Sequence, residues 1–223
     1  MTGELLQKFF ESIRAGDVSH VAEAIRQDPK IVGAVNPQGV SAILYSLYAR
    51  REAVTNLLLS NGAEVDLYAA AALGDAVRLQ SFISSGASLA KYSMDGWTAL
   101  HLAAFFGKKD AVALLLKSGA SVGARSTNAL NNHPLHAAAA GGSRDVVALL
   151  LEHGADVNAP QSGGWTPLHA AAQSADVEMA KLLLAHGANA DVRADNGQNA
   201  LDLAMGKGAQ PLVDLLMEAP RAQ

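Results

Sequence analysis

The sequence predicts an all-α fold, a solenoid of about seven helix-turn-helix repeats, and three observations predict it. A nine-residue pattern recurs nearly unchanged, as Gly-Trp-Thr-Ala-Leu-His-Leu-Ala-Ala at 96–104 and Gly-Trp-Thr-Pro-Leu-His-Ala-Ala-Ala at 164–172. Each copy is followed by a Leu-Leu-Leu run and a Gly-Ala pair. From the Thr to that Gly is 21 residues both times, Thr98 to Gly119 and Thr166 to Gly187. The third observation is compositional: 50% of the 223 residues are hydrophobic but only 5% are aromatic, which suits a stack of helices packed through Ala and Leu. A fixed internal period means one supersecondary unit stacked on itself.

The units follow in order. Gly-Ala pairs at 62–63, 86–87, 119–120, 154–155 and 187–188 close them, with gaps of 24, 33, 35 and 33. A degenerate first unit opens near Gln7 and closes near Asp28. The second opens at Ser41, whose hydroxyl can cap a helix by accepting a free backbone N–H. Counting back 21 residues from Gly86 opens the third at Val65. Thr98 opens the fourth, His133 the fifth and Thr166 the sixth. Pro134 and Pro167 stand at the first helical position, where a missing N–H costs nothing. Asn199 opens the seventh, which closes near Ala219. Within each unit the first helix is short and stops at a Gly, at positions 16, 74, 107, 142 and 208, because glycine accepts the left-handed turn that ends a helix. Arg50 and Ala175 stand where that Gly is expected. A second helix then runs to the closing pair, as in Asp110–Lys117.

These motifs resemble those of the ankyrin-repeat family, and the resemblance covers nearly the whole chain. It implies one elongated domain over residues 1–218, with 219–223 as a frayed tail. It also implies that His101, His136 and His169, at one repeated position, bond the opening Thr and the neighbouring loop. Asn158 matches a position hydroxylated in some relatives, but a turn-forming Asn is the preferred reading.

Two spacings depart from the pattern. The gap of 24 leaves Glu64-Val65-Asp66 as the only link between second and third units, so the usual hairpin loop is expected to be missing. An open gap in the row of loop tips should follow, deepest beside Tyr68 and Leu73. The gap of 35 places two extra residues within 127–132.

Net charge is −4 and the sequence contains no cysteine. Neither a basic stripe nor a high pI suggests nucleic acid, and disulfides and thiolate metal sites are excluded. No apolar run approaches the ~20 residues that span a bilayer, and the N-terminus lacks a signal-peptide pattern. A cytoplasmic, monomeric protein is expected, with charged end units: Glu11, Arg14 and Glu23 at one end, Lys207, Asp214 and Glu218 at the other.

No catalytic motif is present. Gly-x-Ser-x-Gly and the P-loop pattern are both absent, so no enzyme activity and no cofactor are expected. His133 and His136 have i, i+3 spacing but no third ligand converges on them, so no metal is expected. Asp75, Asp110, Asp145 and Asp176 read as one repeated position capping the second helix.

The family presents variable residues to its partners from two places, the loop before the opening Thr and the residues before the helix-ending Gly. In the fourth unit these are Tyr92, Met94, Asp95 and Trp97 in the loop, with Phe105 and Phe106 at the helix end. Tyr48 in the second unit and Trp165 in the sixth complete the set. A short helix is not expected to bury both Phe105 and Phe106, so the rings are expected to be exposed and to bind a protein or peptide partner. The alternative is that they pack on one another. Two other functions stay open: a ligand or metal sensor built on the loop near 127–136, and a structural segment that self-associates end to end.

Overall fold

A computed structural model describes residues 3–219. The tail expected from 219 therefore lies outside the described residues beyond Ala219, as do residues 1 and 2. Among the described residues there are fourteen α-helices and no strand, only an isolated bridge between Val35 and Ser41.

The helices come in pairs. They are α1 Gly3–Ala15 with α2 Val18–Gln27, α3 Ala42–Tyr48 with α4 Glu52–Ser60, and α5 Leu67–Leu73 with α6 Ala76–Ser84. Then come α7 Ala99–Phe105 with α8 Lys109–Lys117, and α9 Pro134–Gly141 with α10 Arg144–Glu152. Last are α11 Pro167–Gln173 with α12 Val177–Ala185, and α13 Ala200–Gly206 with α14 Gln210–Glu218. Odd-numbered helices pack on odd ones to form an inner row, and even on even to form an outer row. Hairpin turns project from the inner row before α3, α7, α9, α11 and α13.

The inner helices are thin. Ala69–Ala72, Ala103, Ala104, Ala137, Ala138, Ala171 and Ala172 are buried, so neighbouring backbones approach closely. At Gly141 an added Cβ would meet the Phe105 carbonyl at 2.1 Å, so only glycine fits between α7 and α9. The outer helices bury larger residues. Leu58, Leu115, Leu150 and Leu183 each stand four residues before a closing Gly and are fully buried. Each such burial is worth about 1.5–3 kcal/mol.

Three sequence expectations are corrected here. The first unit does not open near Gln7, because α1 begins at Gly3 and is thirteen residues long. The third unit is capped by Asp66, not Val65. The Asp66 carboxylate accepts the Ala69 N–H at 2.7 Å, a bond that Val cannot make. The four aspartates also do not share one position. Asp75 and Asp176 are N-caps of α6 and α12, while Asp110 and Asp145 lie inside the first turns of α8 and α10, whose cap positions are Lys108 and Ser143. There they act through the helix dipole.

The other caps follow the sequence. Ser41, Thr98 and Asn199 accept backbone N–H groups at the starts of α3, α7 and α13. Arg50 and Ala175 do adopt the left-handed turn expected of glycine there, with φ of 54° and 55°.

Candidate functional site

The inner helices and hairpins are tied together by the repeated histidines. Thr98 donates its hydroxyl to Nδ1 of His101 at 2.8 Å, and His101 Nε2–H donates to the Asn132 carbonyl of the next hairpin at 3.0 Å. His169 repeats this with Thr166 and the Gln198 carbonyl, and His136 reaches the Trp165 carbonyl. In all three units the backbone N–H of the opening residue also donates to Nδ1, and in the fifth, opened by His133, that bond holds His136 without a hydroxyl. These rings are buried, and burial pushes His101 and His136 down to a pKa of about 4. They are neutral near pH 7 and act as structural pins. His153 and His186 each bond the carbonyl four residues back and close their outer helices.

Successive hairpins also share a backbone ladder. Thr127 N–H donates to the Gly96 carbonyl, Ser162 to Leu130, and Asp195 to Gly163, each at 2.9 Å. No hairpin separates α4 from α5; residues 61–66 connect them directly. The missing loop is therefore as expected, but the expected open gap between loop tips is not. The hairpin before α7 leans onto the hairpin before α3, and the Met94 side chain packs on Gly39, where an added Cβ would meet it at 3.2 Å. Hairpins attract one another through apolar contact, and a vacancy one hairpin wide closes at its tips. A cleft of about 310 Å³ remains beneath, with Tyr68 in its lining but not Leu73.

The same closure gathers the aromatic residues. α5 carries only small alanines along its middle, so Tyr48 at the end of α3 reaches past it to the fourth unit. Its ring lies 5.4 Å from Phe106 and 6.1 Å from Phe105. Trp97 stands edge-on to Phe105 at 5.2 Å, and Phe105 edge-on to Phe106 at 5.1 Å. The Tyr48 hydroxyl donates to Asp95, which also accepts the Ser93 hydroxyl. Burial first, then Asp95, raises the Tyr48 phenol far above its usual range.

The exposure expected from sequence is thus corrected for part of the set. Trp97 is only 8% exposed, and Phe105, Phe106 and Tyr48 are half-buried against one another. The short helix alone could not bury both Phe rings; Tyr48 from two units away supplies the missing cover. Trp165 is half-buried over His169, 5.7 Å between rings, as Trp97 is over His101. Tyr92 and Met94 are exposed, at 42% and 78%. Sequence reasoning missed Val35 and Leu130, each about half exposed at a hairpin, and Met205 at the end of α13. The signal in the sequence is position alone, a hairpin for Val35 and Leu130 and an inner-helix end for Met205.

Asn158 is a turn residue that also joins units. Its side chain donates to the Gly187 carbonyl and accepts the Asn189 N–H. Among the described residues no group of three His, Asp or Glu side chains is placed to hold a metal ion, and no helix is long and apolar enough to cross a membrane.

Comparison with known proteins agrees with this architecture. The family model described as ankyrin repeats (3 copies) matches residues 67–161 and 159–223. A 66-residue stretch is 39% identical to calmodulin-binding transcription activator 3 of Arabidopsis thaliana, covering 30% of this chain and 6% of that protein.

Proposed function

From the premise that this chain belongs to the ankyrin-repeat family, whose repeats are generally protein–protein interaction modules, we propose that it binds a protein or peptide partner on its hairpin and inner-helix face. One observation carries the reading. Of the eight large apolar side chains that are exposed among the described residues, five lie on that face: Val35, Tyr92, Met94, Leu130 and Met205. Exposed apolar groups gathered on one side mark an interaction surface. Tyr92 and Met94 are direct contacts, and Phe105, Phe106 and Trp165 offer their open edges. Tyr48, Trp97 and Asp95 hold those rings in place. Such a rigid face loses little ordering entropy on binding.

The first two helix pairs lie outside the matched region, and we read them as divergent repeats of the same kind, giving seven in one domain. The chain acts in the cytoplasm as a monomer, without catalysis, cofactor, nucleic acid or membrane.

The test compares wild type with Leu130→Asp and Met205→Asp as baits in extracts of the source cells. Both side chains are exposed, so melting should change little, and a charge placed in a desolvated interface should remove the captured partner. Unchanged capture by both variants would place the docking surface elsewhere.

A further inference from the structure

The missing hairpin leaves a site with its own chemistry. Its cleft lies between the hairpins before α3 and α7, floored by the start of α5. The walls are apolar: Val35 and Met94, both open to solvent, the buried Leu44 behind them, and the rings of Tyr68 and Tyr92. Two carboxylates line it, Asp66 and Asp95, and no Lys or Arg does. Asp66 uses one oxygen to cap α5. Burial first, and then the negative charges of Asp66 and Asp95, push the Tyr68 phenol above its ordinary range, so both carboxylates act on the space that Tyr68 faces.

We propose that this cleft receives a basic side chain of the protein partner, its aliphatic stem between Val35, Leu44 and Met94 and its cationic head between Asp66, Asp95 and the tyrosine rings. Apolar walls with two carboxylates in the lining, Asp66 and the Asp95 that also accepts the Tyr48 and Ser93 hydroxyls, match the make-up of Lys and Arg, which bury a hydrocarbon stem and keep a charged head. Tyrosine faces attract that head, and an arginine fork can also bond a carboxylate in two places. The proposal rests on the docking face above and names what one part of it selects.

The test titrates the whole isotope-labelled chain with N-acetyl-arginine amide and N-acetyl-lysine amide at low salt, with N-acetyl-norleucine amide as the uncharged control. Saturable amide shifts confined to 35–41, 66–68 and 92–95 are expected with either basic probe and not with norleucine. Asp66→Asn should weaken them by about tenfold or more, because Asn still caps α5 and only the charge is lost. Equal shifts from norleucine, or none from the basic probes at these residues, would overturn the proposal. Capture of the partner separates the two readings. If Leu130→Asp abolishes capture while Asp66→Asn leaves it intact and the probes fail, the docking face stands and the cleft assignment falls.

Discussion

The histidine pins set the chain's response to acid. An unfolded histidine titrates near its ordinary value of 6.5, while burial holds His101 and His136 near 4. Between those values the unfolded chain binds more protons, so stability is whole above about pH 6.5 and falls as pH drops toward 4, by roughly 3 kcal/mol for each histidine. Denaturant titrations at pH 7 and pH 4.5 should show this loss, and His101→Gln with His136→Gln should flatten it. The aromatic residues make a second case. Because Trp97 is buried against Phe105 and Tyr48, Trp97→Ala should cost about 3–5 kcal/mol of stability, read as a lower melting temperature; a wild-type melt would show the ring to be peripheral. The histidine role was legible in the sequence because a repeated residue at a repeated spacing has one repeated environment. The ring cluster was legible only as the alternative that the rings pack on one another. Its key contact joins Tyr48 to Asp95, Phe105 and Phe106 across an intervening unit; the run Ala69–Ala72 shows that α5 is thin, but nothing local ties that thinness to a ring two units away.

Helix ends show how strongly the repeat dictates conformation. At Arg50 and Ala175 the turn after the first helix demands a left-handed residue, and the chain supplies one without glycine. The neighbouring units over-determine the turn, and the misfit persists as strain. Ala175→Gly should therefore raise stability by about 1 kcal/mol, seen as a higher midpoint in urea, and Arg50→Gly should do likewise. No gain at either position would mean that the entropy lost by glycine cancels the relief. Element positions were mostly readable, since Ser, Thr, Asn and Pro at helix starts have direct physical roles. The offset at Asp66 escaped because a fixed count of 21 residues does not survive a deletion, whereas capping chemistry does. The missing histidine partners are also informative in retrospect. Leu44 occupies the pin position of the second unit, where no following hairpin offers a carbonyl, and Asp202 occupies it in the last unit, where it caps Asn199 instead.

Across the whole molecule, stability is the sum of each unit and its contact with the next. The contact between the second and third units is the thinnest. α3 and α5 meet sparsely, α4 and α6 scarcely touch, and α6 buries only Leu79 fully. The Tyr48 cluster and the Met94–Gly39 contact bridge this seam from above. Tyr48→Ala should uncouple the two sides, so that hydrogen exchange in α1–α4 becomes faster than in α7–α12 and unfolding acquires two phases. A single cooperative transition in that variant would show that the thin helix contact suffices on its own.

The link at 61–66 also changes the geometry that any partner meets. The molecule is a layered stack in which one layer is complete among the helices and absent among the hairpins. A layered solid with a half-plane that stops inside it contains an edge dislocation, and it bends toward the side that lacks the layer. Beyond Asp66 the hairpin row is out of phase with the helix row by one step. A binding surface that ran along a regular solenoid would meet a slip at this point, so a partner that spans it must carry the same break in its own spacing.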